Sequence, residues 1–224
     1  MKGFAAMATT WSKPAGTSVF PLRNGEGPKS VCEQVIGVQP WRQDIAWPDG
    51  FHAGIAHRLD VHTSGAVWIA DSLVELEEMR CRFRDGRLTK RYLMRAAKDV
   101  AWDFNSCDKE IGHDKRKKGK MVVRRGANTP HRGRWWPAMT QFSRRSQWIW
   151  EVEIRTGVMH QIRVHAAFVG IPIRGDSRYG GGTSPDDAPS GAFFLHHLGL
   201  VDGDGWGTER VETPTWTGQD RGQS

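Results

Sequence analysis

A chain of 224 residues with 38% hydrophobic content can bury one sizeable core but has little left for a second independent domain. Cys32, Cys81 and Cys107 are widely spaced with no C-x-x-C pair, which argues against a disulfide framework or a thiolate zinc site and fits a reducing, cytoplasmic setting. No apolar run reaches the length of a membrane span, and the opening MKGFAAMATTWSKPAG lacks the apolar core of a secretory signal, so neither a membrane protein nor a secreted one is expected.

The net charge of +7 is unevenly spread: between Lys109 and Arg145, twelve Lys or Arg stand against Glu110 and Asp114, a net of +10 that leaves −3 for the rest. Such asymmetry points to an anionic partner for one face, with nucleic acid the usual candidate; the competing reading is a solvated basic loop. Most of the eleven tryptophans are expected in the core and edge strands, with a few available for base stacking.

Along the chain, WSKPAGTSVFP reads as a strand end, a Pro-Ala-Gly turn and a short return strand. Residues 23–54 read as mostly irregular, with a short helix near SVCEQVIGV. AHRLDVHTSGAVWIA, residues 56–70, places a histidine, an arginine and an aspartate before a Thr-Ser-Gly turn and then a buried strand. Asp60 there is either a turn former bonding its own backbone or a carboxylate held at a strand edge for chemistry. DSLVELEEMRCRFRDG predicts a helix with Ser72 and Glu75 at capping-box spacing, an apolar stripe of Leu73, Leu76, Met79 and Phe83, and Gly86 as its stop.

LTKRYLMRAA predicts a strand with Tyr92, Met94 and Ala96 on one face and Leu93 and Arg95 on the other. The basic segment reads as strands joined by flexible loops. In QWIWEVEIRTG, Trp148, Trp150, Val152 and Ile154 alternate with Glu151, Glu153 and Arg155, the clearest strand pattern in the chain. HQIRVHAAFVG then predicts a helix, with Ile162, Ala166 and Val169 at helical spacing and Gly170 as its end. GDGWG at 203–207 reads as a turn, the tail after Gly207 as loosely held, and no internal repeat is found.

The junction at 156–163 puts Gln161 and Arg163 near a helix start, where an acid from another loop could pair with the arginine. Asp60 is the natural candidate, and pairing would favour the ionised form that a nucleophile or base needs. The alternative is that Arg163 covers the helix end and Asp60 caps a turn. His57 and His62, like His160 and His165, lie five apart rather than at the i, i+4 spacing of two helical ligands, so local hydrogen bonds are expected and no metal. Phosphate-loop and G-x-S-x-G patterns are missing.

Taken together, these motifs resemble the RluA-type RNA pseudouridine synthases. HRLDVHTSG is similar to the family's catalytic H-R-L-D-x-x-T-S-G signature. KPAG at 13–16, KRY at 90–92, PAMT at 137–140, TGVMHQIRVH at 156–165 and GDSRYG at 175–180 follow in the family's order, so the similarity covers about residues 11–200. The resemblance implies an α+β fold, a single catalytic domain with a mixed, largely antiparallel sheet flanked by helices and loops. Its bounds are expected at 11–206, with residues 1–10 and 207–224 as tails.

By the same resemblance Asp60 is the catalytic aspartate, Tyr92 the aromatic beside the target base, and Arg163 the cation paired with the aspartate. Arg58 helps displace the target base, Ile162 supports the pocket wall, and Thr63, His160 and Gln161 complete the substrate-binding set. Val158 departs from the family's T-G-R-x-H-Q and removes a cation near the substrate backbone. A short or missing edge strand before KPAG is expected. No small RNA-binding domain is expected ahead of the catalytic one, its work falling to residues 109–145, where Lys115, Arg116, Lys117, Lys118 and Lys120 would meet phosphate. The implied activity is isomerisation of a uridine to pseudouridine in ribosomal or transfer RNA, by a cytoplasmic monomer without cofactor, metal or obligatory protein partner. Two rivals are a catalytically silent RNA-binding homologue and a glycosidase-like hydrolase; the hydrolase would want two flanking carboxylates where the motif loops supply only Asp60.

Overall fold

The computed structural model describes residues 9–22, 27–184, 191–203 and 213–217. Two compact units make up the chain, Met1–Lys90 with His197–Glu212 and Arg91–His196 with Thr213–Ser224, so the expected 11–206 domain is distributed over both.

In the first unit, Thr9–Lys13 (β1) pairs antiparallel with Ser64–Ile69 (β2), from Thr9 opposite Ile69 to Lys13 opposite Gly65. This edge strand is five residues long, and it starts two residues inside the anticipated 1–10 tail. Val31–Val38 (α1) opens with a complete capping box: Ser30 Oγ accepts the Glu33 N–H, and Glu33 Oε2 accepts the Ser30 N–H at 2.8 Å. The return strand expected after KPAG does not form. The carbonyls of Ser18 and Val19 instead accept the Val31 and Cys32 N–H at 2.9 and 3.0 Å, so the donors left open at a helix start take the acceptors that a strand partner would have used.

Leu73–Arg84 (α2) is capped by Ser72, whose Oγ accepts the Glu75 N–H at 3.2 Å. Glu75 reaches one residue further back than a capping box requires, to the Asp71 N–H at 2.8 Å. Its stripe begins a turn later than expected, with Leu76 and Met79 buried but Leu73 exposed; Gly86 takes φ 65° just past the helix. Ala56, Trp68, Leu76, Met79, Leu88 and Leu200 form this unit's core cluster. The chain leaves the unit through Leu88–Arg95 (β3), where Tyr92, Leu93 and Met94 are all buried and both strand faces are covered.

In the second unit, Phe104–Cys107 (β4), Thr140–Arg144 (β8) and Ile149–Ile154 (β9) form antiparallel ladders β4–β8 and β8–β9. A small sheet of Ile111–Asp114 (β5), Met121–Val123 (β6) and His131–Trp136 (β7) lies within the basic segment, in the order β6-β5-β7. Gln161–Phe168 (α3) is buried continuously from Gln161 to Ala166. The predicted alternation of β9 holds, with Trp150 and Val152 inside, but Glu151 is buried too, held by ion pairs to Arg91 and Arg145. After Leu195–Asp202 (β10), the larger sheet is complete in the order β1-β2-β10-β3-β9-β8-β4. The fold is α+β, as expected. Most of the 207–224 tail lies outside the described residues; of the part described, Trp216 packs on Phe194 at 5.4 Å between ring centroids.

Candidate active site

Asp60 heads a tight turn, its carbonyl accepting the Thr63 N–H at 3.0 Å. The main chain at the turn's second residue is clamped from KPAG: Val61 O accepts the Gly16 N–H at 2.9 Å and Lys13 Nζ at 2.8 Å. Lys13 Nζ also donates to Pro14 O at 3.0 Å, and the whole residue is only 1% exposed. Burial pushes this ammonium down to about 8, and the negative charge of Asp60 works against that shift. The lysine therefore does two things for the loop. It fixes the backbone beside Asp60 and supplies positive potential at its carboxylate.

Two glycines make the loop possible. Gly16 takes φ 86° at the end of KPAG. Gly65, the last residue of HRLDVHTSG, takes φ 115°, and a Cβ there would stand 2.1 Å from His197 O on β10. Asp60 is half-buried, Thr63 buried and Arg58 exposed, so the three expected residues of this loop differ in access to solvent. His57 bonds locally as expected, its Nε2 accepting the Trp68 N–H at 3.2 Å; burial, with the charges of His197 and Lys90, holds its pKa well below the ordinary imidazole range. In the sequence KPAG is visible as a motif, but the role of Lys13 within it is not. Its one signal was a lysine at a strand end directly before a proline turn.

In the second unit, Arg163 meets a carboxylate that sequence reasoning read only as part of a turn. Its Nε and Nη2 donate to Asp176 Oδ2 and Oδ1 at 2.7 and 3.0 Å, a bidentate pair with both residues buried. The guanidinium also lies over the rings of Phe193 and Tyr179, at 4.4 and 5.1 Å from their centroids. GDSRYG thus supplies both the acid and one of the rings that orient Arg163.

His160 precedes α3 in the left-handed region, φ 56°, with Nδ1 at 2.9 Å from the Tyr179 hydroxyl. That hydroxyl also accepts the Met121 N–H at 2.9 Å, while burial pushes its own ionisation up to about 12. Gln161, 2% exposed, engages its side-chain amide four times: Oε1 accepts from Thr156 Oγ1 and the Val158 N–H, and Nε2 donates to Met139 O and Thr140 Oγ1. It ties TGVMHQIRVH to PAMT. Ile162 and Tyr92 are buried at 5% and 6% exposure. Val158, where the family pattern has arginine, packs against the core cluster of Ile111, Met121, Val123 and Val164, so the substitution serves packing.

His165 bridges Thr140 Oγ1 and Lys109 O at 2.8 and 2.9 Å, so it hydrogen-bonds to partners 25 and 56 positions away where local ones were expected. Among the described residues, no group of three or more His, Cys, Asp or Glu is placed to hold a metal ion, and no helix is long and apolar enough to cross a membrane.

Lys115, Arg116, Lys117 and Lys118 are exposed in the connection between β5 and β6. Asp114 holds this turn by accepting the Arg116 and Lys117 N–H at 2.7 and 3.0 Å. Partial burial pushes the Asp114 carboxyl up, but these bonds and the nearby lysines outweigh it and leave it below the usual carboxylate range. Lys120 differs from its neighbours: it is half-buried, with Nζ over the Tyr179 ring at 5.5 Å.

Residues 10–168 match the sequence profile of the family described as RNA pseudouridylate synthase. An uncharacterised RNA pseudouridine synthase of Chloroflexus aurantiacus is 33% identical over 201 residues, covering 85% of this chain and 57% of the relative. One of Bacillus subtilis is 30% identical over 175 residues, covering 75% and 54%. Ribosomal large subunit pseudouridine synthase D of Nitrosomonas europaea is 28% identical over 183 residues, covering 80% and 49%. The chain thus spans about half the length of the curated relatives it matches. Among solved structures, human RNA pseudouridylate synthase domain containing 1 superposes with a TM-score of 0.68 at 21% identity, over 95% of this chain and 81% of that one, which establishes the shared fold.

Proposed function

Because the chain belongs to the RNA pseudouridylate synthase family, we propose that it isomerises uridine to pseudouridine within RNA, with Asp60 as the reacting carboxylate. The reaction breaks the bond from N1 to C1′, turns the base and joins C5 to C1′; the proton leaving C5 is matched by one gained at N1. Reactant and product have the same atoms and the same oxidation level, so a carboxylate near the ribose is the chief chemical requirement. Asp60 either adds to C1′ or takes a proton from C2′. The target base leaves its stack to be reached, and in this reading Tyr92 packs beside it while Arg58 fills the space it left. Arg163 supplies the cation that balances Asp60.

The observation that carries this reading is the Asp60 turn, whose backbone is held by a buried lysine directed to Val61 O rather than left to solvent. An ordinary surface turn needs no such clamp. Ribosomal RNA is the first substrate to test, since several relatives bear the name ribosomal large subunit pseudouridine synthase, with transfer RNA second. The protein is taken to act in the cytoplasm as a monomer, without an obligatory protein partner.

Chemical mapping of pseudouridine across total RNA, with and without the gene, tests the proposal. At least one site should disappear on deletion, return with the wild-type gene and fail to return with Asp60→Asn, whose amide can act neither as nucleophile nor as base. An unchanged map identifies a silent RNA-binding homologue, and turnover by a purified Asp60→Asn protein removes the carboxylate mechanism.

A further inference from the structure

We propose that the outer face of the β6-β5-β7 sheet is a stacking platform for an unpaired RNA strand, built from Trp135, His131 and Arg124. The inference rests on the RNA reading above and adds the surface and the strandedness of the partner. Gly112 alone on β5 stands against Gly133, Arg134 and Trp135 on β7, since His113 pairs with Arg132 and Ile111 with Trp136. Gly133, inside this bulge, takes φ 69°. A bulge of this kind bends its strand and re-aims the side chains next to it.

Here the bulge brings the imidazole of His131 onto the indole of Trp135, with ring centroids 4.1 Å apart and planes 29° from parallel. The indole lies across Gly112, where a Cβ would stand 2.8 and 2.9 Å from its Cε3 and Cζ3 atoms. Arg124, ion-paired with Glu110, places its guanidinium 5.8 Å from the Trp135 ring centroid.

The neighbouring tryptophans of β7 are both half-buried but differ in their partners. Trp136 packs on the cluster of Ile111, Met121 and Val123, whereas Trp135 lies against His131 and Gly112. Arg124, Arg125, Arg132 and Arg134 are all exposed within the stretch that holds a net charge of +10; Arg124 is set against Trp135, while the guanidinium groups of Arg125 and Arg134 lie over the rings of Phe168 and Trp136. Aromatic rings beside arginines suit nucleobases attached to a phosphate backbone, because every base offers a π-face and the guanidinium groups answer the charge. A duplex keeps its base faces stacked on one another and gains only the charge component. The partner that fits is a single strand.

The test titrates binding of an oligouridylate and of a blunt RNA duplex of equal length, at several salt concentrations. Trp135→Ala should weaken oligouridylate binding about tenfold, leave duplex binding unchanged and leave the salt dependence unchanged. Trp135→Phe should restore most of the loss. Gly112→Ala keeps the indole but pushes it off its seat, and should also weaken oligouridylate binding. Urea midpoints report whether each variant folds; should Trp135→Ala fail, Trp135→Phe and Gly112→Ala decide the matter by the same titration. Wild-type affinity in Trp135→Ala or Gly112→Ala, or equal losses for both probes, overturns the platform. If the wild type makes no pseudouridine yet binds oligouridylate in a Trp135-dependent way, the activity reading fails and the platform stands.

Discussion

Lys13 is a cation enclosed by protein, and its cost and its use can be measured separately. Its folded-state pKa of about 8 lies below the ordinary 10.5. Below pH 8 both folded and unfolded chains carry the charge, and the folded chain bears the desolvation. Between 8 and 10.5 the folded lysine is neutral while the unfolded one still binds a proton, so stability rises with pH across that window. Urea unfolding at pH 7 and pH 10 should show wild type gaining about 2 kcal/mol more than Lys13→Met between the two. Lys90, also depressed to about 8 by burial, is present in both proteins and cancels in the difference. Equal pH responses would mean that Lys13 titrates normally. At pH 7, Lys13→Met releases Val61 O and removes the potential at Asp60, so kcat should fall by about a hundredfold, the order expected when a reacting group is displaced by about 1 Å. A kcat within twofold of wild type would show that the clamp is dispensable. Asp60 stood out in the sequence because a motif surrounds it. Lys13 did not, because a lysine beside a proline turn ordinarily reads as exposed, and only the fold brings Val61 O against it.

At the scale of elements, what sequence reveals follows the range of the forces involved. Both α1 and α2 were readable because Ser30, Ser72 and Glu75 act within a few residues of themselves. The alternation of β9 was readable for the same reason. The burial of Glu151 was not, since it depends on Arg91, sixty positions away in sequence, as well as on nearby Arg145. The failed return strand has the same origin: the carbonyls of Ser18 and Val19 find their donors not in a neighbouring strand but at a helix start thirteen residues on. Gly65 is the sharpest case. In the sequence it looks like one glycine of a turn; in the fold it lets β2 pass against the β10 backbone at His197. Gly65→Ala would need both a strained φ and a carbonyl displaced from 2.1 Å, and should cost about 3 kcal/mol or more. Urea unfolding checks this directly, and a loss below about 1 kcal/mol would mean that the strands part easily. Gly86→Ala is the uncrowded comparison: its φ of 65° lies in the left-handed region, milder than the 115° of Gly65, with nothing within 4 Å of its Cβ, and it should cost only about 1 kcal/mol of backbone strain.

Over the whole molecule, the division into two units rests on long-range contacts that no local pattern announces, whereas the distribution of charge is fully legible. Lys115, Lys117 and Lys118 are exposed in the turn organised by Asp114, while Lys120 leans over Tyr179 and is the least suited of the group to meet phosphate. Each phosphate contact releases counterions and should steepen the salt dependence of RNA binding by about 0.7 to 0.9 log units per decade. Changing Lys115, Lys117 and Lys118 together to Gln should therefore flatten that dependence by about two, for single-stranded and duplex RNA alike. Phosphate contacts position RNA without reading its bases, so the triple variant should bind every RNA more weakly yet modify the same uridine, with the rate at saturating RNA preserved. Trp135→Ala moves the opposite quantities, affinity for a single strand at constant slope, so the two variants separate charge from stacking on neighbouring parts of one unit. Titrations of wild type beside the triple variant decide the matter: parallel salt dependences would leave the lysines as solvated surface, and the net charge of this segment would then need another partner.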